Sequence, residues 1–174
     1  FICNIDKNIK IIGVTFTGKV FHIDWESNIN HEYKLDYNVL GNIDPNEIIN
    51  FHSINKITNN YLCILNSDGR FKKVLFDEDM IKSNRSFAIT KLKNNIKTID
   101  SFISNEEKNL IILTSIGRIF KFNLSNTFLT PTSKQSQGIM LAKLLPTEKI
   151  VSCCSCKKGE NIYLVSRQGK IFSI

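Results

Sequence analysis

No apolar run in the 174 residues approaches the roughly 18 that a membrane-crossing helix requires, and no signal-peptide pattern is present. No Walker or dinucleotide loop occurs, so no cofactor is expected to bind within this stretch. The three histidines, His22, His31 and His52, stand in unrelated contexts, and His31-Glu32 does not continue into a His-Glu-x-x-His motif. Five cysteines (Cys3, Cys63, Cys153, Cys154 and Cys156) are an odd number with three nearly adjacent, which excludes a useful disulfide framework and fits a reducing compartment. Zinc would need a second cluster to complete its ligand set. None exists, and Cys153 and its neighbours lie in an apolar stretch where a small thiol packs well. Asp77-Glu78-Asp79 reads as a solvated loop or a helix start rather than a metal cup. No metal site and no autonomous catalytic site are expected. The chain opens at Phe1 rather than at Met, which points to a piece of a longer polypeptide.

What is present is charge of one sign and a repeat. Lys and Arg total 23 against 16 Asp and Glu, a formal excess of +7 that favours polyanions through long-range attraction. Gly18-Lys19-Val20-Phe21-His22-Ile23 returns as Gly69-Arg70-Phe71-Lys72-Lys73-Val74, as Gly117-Arg118-Ile119-Phe120-Lys121-Phe122 and as Gly169-Lys170-Ile171-Phe172-Ser173-Ile174. The glycines are 51, 48 and 52 residues apart, and each is followed by a cation and then an apolar residue. An apolar run precedes each glycine, at 9–16, 61–65, 110–113 and 162–165, with small or polar residues between run and glycine. Two β-favouring runs joined by a short glycine-bearing segment make a hairpin, with glycine supplying the positive φ of the turn.

A further apolar strand is expected before each hairpin, at 1–5, 48–54, 96–103 and 150–154, and a fourth after the first three, near 39–40, 87–92 and 139–145. Helical character is confined to 76–82, where the acidic triplet could open one turn, and to 138–145 as an alternative to a strand. The expectation is an all-β, propeller-like array of four-stranded blades. It forms a single domain of three complete units, approximately 1–47, 48–95 and 96–148, with an incomplete fourth at 149–174. One such unit cannot bury its own faces, so neighbours must stack. Trp25 is expected to anchor blade contacts.

The stretch Thr114-Ser115-Ile116-Gly117-Arg118-Ile119-Phe120-Lys121-Phe122 resembles a blade of the DNA gyrase A C-terminal domain. So does Asn66-Ser67-Asp68-Gly69-Arg70-Phe71-Lys72-Lys73. Ser136-Gln137-Gly138-Ile139-Met140-Leu141-Ala142-Lys143-Leu144-Leu145 is similar to the glycine-led segment of alternating apolar and basic residues in that family, and Glu148-Lys149-Ile150-Val151-Ser152 to its lead into the next blade. The resemblance implies a β-pinwheel whose basic rim bends duplex DNA in support of ATP-dependent negative supercoiling. It further implies two partners, a second gyrase A chain and a gyrase B-type ATPase subunit, with ATP and Mg bound elsewhere in the holoenzyme. The sequence departs from the family in having no intact Gln-Arg-Gly-Gly-x-Gly box. Lys134-Gln135-Ser136-Gln137-Gly138 echoes it only at blade level. Topoisomerase IV shares this kind of domain. The family's cleavage tyrosine follows an arginine, whereas Tyr33, Tyr37, Tyr61 and Tyr163 follow Glu32, Asp36, Asn60 and Ile162. A bacterial cytoplasm, or an apicoplast-like plastid of an AT-rich eukaryote, is the implied location, away from membranes.

A protein that bends DNA needs cations spaced along an arc, and a repeat delivers that spacing. The residue after each turn glycine, Lys19, Arg70, Arg118 or Lys170, is basic in all four units. Lys72, Lys73, Arg85, Lys91, Lys121, Lys134, Lys143 and Arg167 complete the candidate set. Lysines on strand edges also guard against aggregation, but that leaves the recurrence at one turn position unexplained. A propeller acting as a protein-interaction scaffold is the competing class. Its usual Trp-Asp or Gly-His signature does not recur here.

Overall fold

The structure, a computed structural model, describes residues 9–23, 43–54, 60–82, 86–105 and 108–174. The repeated glycine motif closes four hairpins: β1 (Lys10–Thr15) with β2 (Lys19–Ile23), β4 (Tyr61–Asn66) with β5 (Arg70–Leu75), β8 (Lys108–Thr114) with β9 (Ile119–Asn123), and β12 (Tyr163–Val165) with β13 (Ile171–Ser173). At each turn the glycine N–H donates to the carbonyl three residues earlier, at 2.9–3.0 Å, on Thr15, Asn66, Thr114 and Ser166. The turn glycines take φ between +77° and +85°, the left-handed region that glycine enters at least cost.

Around the hairpins the strands interlock. β3 (Ile48–Ile54) pairs with β1, β7 (Thr98–Ser104) with β4, and β11 (Ile150–Lys157) with β8, all antiparallel. Each of these ladders slips at the same place, leaving Ile49, Ile99 and Val151 as the extra residue of a bulge. On the opposite edge, β6 (Phe87–Ala88) joins β2, and β10 (Ile139–Met140) joins β5. The sheets therefore read β3-β1-β2-β6, then β10-β5-β4-β7, then β11-β8-β9, with the β12-β13 hairpin last.

The strands expected ahead of the second, third and fourth hairpins thus complete the sheets of the hairpins before them, as do the short strands after the second and third hairpins. A lone hairpin leaves two rows of unpaired N–H and C=O groups, and the following segments of chain cover both in the first two sheets and one in the third. Sequence units and sheets are out of phase. Strands expected at 1–5 and 39–40, and the Trp25 anchor, lie outside the described residues. Residues 76–82 do contain one helical turn, α1 (Asp79–Lys82), where the Asp77 carboxylate accepts the Met80 N–H at 3.1 Å. Residues 139–140 form a strand instead of a helix.

The middle strands read as continuous apolar runs because both their faces are covered. Along β4, Leu62 and Ile64 join a core shared with Ile12, Val14 and Val20 of the first sheet, while Tyr61, Cys63 and Leu65 join one shared with Leu110 and Ile112 of the third. Burying each such aliphatic side chain contributes about 1.5–3 kcal/mol. A third cluster, built on Ile11, Phe21 and Ile23, covers the other face of the first sheet. Along the inner edge of the array β7 lies against β3 on one side and β11 on the other.

Candidate nucleic-acid interface

The cations can be placed from the register. Thr15, Asn66 and Thr114 end their strands opposite Ile48, Thr98 and Ile150, so the segments leading into β3, β7 and β11 arrive at the turn end of each sheet. The outer strands run toward that same end. Lys19 pairs with Ala88 and Arg70 with Met140, after which the Ile89 N–H donates to the Gly18 carbonyl at 2.9 Å and the Leu141 and Ala142 N–H groups to that of Gly69 at 3.1 Å. Lys91 and Lys143 follow, both exposed and three residues past those pairs. Each of the first two sheets therefore carries two cations at one corner, Lys19 with Lys91 and Arg70 with Lys143. The turn of the third carries Arg118, and the turn of the fourth hairpin carries exposed Arg167 and Lys170.

Sequence reasoning missed three further lysines at this end. Lys97 and Lys149 stand at equivalent places, their carbonyls accepting from Ser67 N–H and Ser115 N–H at 2.8 Å and their own N–H groups donating to the Ser67 and Ser115 hydroxyls at 3.1 Å. Lys93 is exposed in the same connection as Lys97. A signal existed: a cation directly before the strand at both Lys97-Thr98 and Lys149-Ile150, where the first unit has Glu47. The turn ends of the first two sheets are neighbours, since the Thr98 N–H donates to the Phe16 carbonyl at 2.8 Å and the Lys97 ammonium lies 4.5 Å from the centre of the Phe16 ring.

Two candidates are corrected outright. Lys72 and Lys73 are buried, not on a rim. The Lys72 Nζ donates to the carbonyls of Lys134 and Ser136 at 2.7 and 2.8 Å. Burial lowers its pKa to about 8. The Lys73 Nζ donates to the Leu124 carbonyl and, at 2.7 Å, to the Asn126 side-chain oxygen, and it lies 4.2 Å from the centre of the Tyr61 ring. Asn126 in turn donates to the Tyr61 hydroxyl at 2.9 Å. Consecutive strand residues point to opposite faces, and the third unit covers both faces of β5, so both amines meet main-chain oxygen instead of water.

Three other candidates hold carboxylates. Arg70 pairs with Asp68 at 3.2 Å, Lys134 with Asp77 at 2.9 Å, and Arg118 with buried Glu148 at 2.7 Å. The Thr114 hydroxyl, the Leu145 N–H and the Arg118 guanidinium hold Glu148 below the usual carboxylate value. Lys121 is exposed in the middle of β9, away from the turn. Arg85 lies outside the described residues.

Burial pushes the Cys63 thiol up to about 12 and raises Cys153 and Cys154 as well, which suppresses the nucleophilic thiolate. Burial lowers His52 to about 4 against the opposing pull of Asp100. Among the described residues no group of three or more His, Cys, Asp or Glu is arranged to hold a metal ion, and no helix is long and apolar enough to cross a membrane.

Interlocked four-stranded sheets around an inner edge define the class: the fold is a β-pinwheel. Among solved structures it is similar to the C-terminal domain of DNA topoisomerase IV (TM-score 0.76, 20% identity, 96% of this chain and 53% of that one). The DNA gyrase A C-terminal domain (0.73, 19%, 96% and 54%) and the E. coli ParC C-terminal domain (0.73, 14%, 96% and 69%) are similar too. In sequence it is 27% identical over 117 residues to the A subunit of DNA topoisomerase 4 from Synechocystis sp., across 62% of this chain. The chain spans 13% of that protein and about half of the first two solved domains. No protein-family profile matches it.

Proposed function

We propose that this chain is a DNA-binding β-pinwheel of a type IIA topoisomerase A subunit, which bends duplex DNA along the turn ends of its sheets. The observation that carries this reading is the gathering of Lys19, Lys91, Lys93, Lys97, Arg70, Lys143, Lys149 and Arg118 at the turn ends of three successive sheets. Such contacts go to phosphate and fix position without reading sequence. Bending roughly 20–30 base pairs by 40–90° costs on the order of 1–6 kcal/mol, which the cations must offset.

The test is binding of unspecific duplex across a salt series with a bend-reporting fluorophore pair at the DNA ends. About six phosphate contacts give a slope of log K against log salt near −5. The double variant Lys91→Glu with Lys143→Glu is expected to reduce that slope by about 2. A flat salt response in the parent chain overturns the reading in favour of a protein-interaction scaffold.

In the whole protein the reading implies two partners, a second A-type chain and a gyrase B-type ATPase subunit. It also implies ATP and Mg bound elsewhere, and work in a bacterial cytoplasm or a plastid. Within the family the gyrase type is the first reading and the topoisomerase IV type the alternative; solved domains of both types are similar to this chain. Relaxing closed-circular DNA in the presence of the chain separates the two. A positive linking-number change supports the gyrase type, and no change supports topoisomerase IV.

A further inference from the structure

One carboxylate ties three successive sheets together. Asp100 sits on β7, at the first position past the bulge of the second sheet. Its Oδ1 accepts the Nδ2 of Asn50 at 2.8 Å and the Ser101 N–H at 2.8 Å. Asn50 occupies the equivalent position on β3, in the first sheet. The Asp100 Oδ2 accepts the N–H of Cys153 at 3.4 Å and its thiol at 3.5 Å, both on β11 in the third sheet. Around this point Asn50 also donates to the Ser101 carbonyl at 3.2 Å, and His52 Nε2 lies 2.8 Å from the Ser101 hydroxyl.

Backbone ladders hold the strands within each sheet, and core clusters shared between sheets hold their faces together. At the inner edges this carboxylate is the polar contact common to all three sheets, beside the bonds of Asn50 and His52 to Ser101. The inner strand lies three strand spacings, roughly 14 Å, from the outer one. A rotation of about 10° around the inner edge therefore moves the outer corner, with Lys91 or Lys143, by roughly 2–3 Å. We infer that Asp100 is a positioning residue: it fixes the angle between successive sheets and, through that angle, the curvature of the cationic arc. The part concerning curvature rests on the DNA-binding reading above; the part concerning the angle does not.

Two variants separate the links. Asp100→Asn keeps an oxygen for Asn50 but sets an NH2 against the Cys153 N–H, donor against donor, and so loosens the second sheet from the third. Asn50→Ala loosens the first from the second and spares the Cys153 contact. In the full chain, spin labels on clickable non-natural residues at Thr17 and Ile116, in the turns of the first and third sheets, and at Asn94, in the connection that enters the second, report the sheet positions without using the cysteines.

Asp100→Asn is expected to shift or broaden the 94–116 distance by roughly 2–3 Å and leave 17–94 unchanged, with Asn50→Ala giving the converse. On DNA, Asp100→Asn is expected to change the bend while leaving the salt slope as in the parent, because no cation is lost. Unchanged distances in variants that still melt cooperatively overturn the inference, as does an altered distance with an unaltered bend. A parent chain that fails to bind DNA overturns the functional reading alone, and the distances still decide the role of Asp100 in the free protein.

Discussion

Leu65 and Val165 each stand four residues before a turn glycine, in motifs that match along their length. Leu65 is fully buried, whereas Val165 is 70% exposed. The contrast extends through both hairpins. Every residue of β4 is buried, while Tyr163, Val165, Ile171 and Phe172 in β12 and β13 lie open. The third hairpin is intermediate, with buried Leu110 and Ile112 on β8 but alternate exposed residues along β9. What differs is the supply of neighbours. The second hairpin receives β7 on one edge, β10 on the other, and a sheet against each face. The motif sets the turn and the pairing of two strands, and burial comes from neighbouring units on both sides, the first sheet and the third in the case of the second hairpin.

If so, identical truncations should have unequal effects. Leu65→Ala is expected to cost about 2–5 kcal/mol, the usual range for a fully buried leucine, while Val165→Ala should stay within about 0.5 kcal/mol. Denaturant melts of the two variants decide it, and equal costs would break the comparison.

A smaller difference is expected at the turn glycines. Gly69 and Gly169 have similar φ, +85° and +77°, so alanine brings the same left-handed strain of about 1–2 kcal/mol to both. Only Gly69 is overlaid. A Cβ there would sit 1.9 Å from the Ala142 carbonyl oxygen, whereas nothing lies within 4 Å of one on Gly169. Gly69→Ala should therefore also detach β10, seen as faster amide exchange at Leu141 and Ala142, whose N–H groups bond the Gly69 carbonyl. Gly169→Ala should leave exchange elsewhere untouched.

The same division marks what the sequence could show. Turn glycines, hairpin strands and the helical turn at Asp79–Lys82 follow from chemistry local to a few residues, and they are found where the sequence places them. Which hairpin a strand completes depends on edges that only exist once another unit has folded, so the partners of β3, β6, β7, β10 and β11 were not legible. Among the candidate cations, Lys19, Lys91, Lys143 and the turn arginines could be placed by their offset from glycine. Lys72 and Lys73 could not. A lysine is ordinarily exposed, and nothing within β5 reveals that carbonyls of residues 124–136 will close over it. The equivalents of Lys72 in the other hairpins are Phe21, Phe120 and Phe172, which is the one trace in the sequence that this position faces inward.

That position gives the finest test of the comparison. The ammonium of Lys72 is held by two carbonyls, and burial brings its pKa from 10.5 to about 8. Between those values the unfolded chain binds a proton that the folded chain has released, so stability from this group rises as pH climbs from about 8 toward 10.5 and is lowest below 8. The amine continues to donate to the Lys134 and Ser136 carbonyls after losing its charge. Lys72→Met should flatten the rise across that window and, at neutral pH, exchange a desolvated charge for two unsatisfied carbonyls, a net change of about 1 kcal/mol in either direction. Phe172→Met, at the matching place in the fourth hairpin, should leave the pH dependence as it was. Thermal melts at pH 7, 8, 9 and 10 distinguish the two, and a rise that survives in Lys72→Met would place its origin in another group.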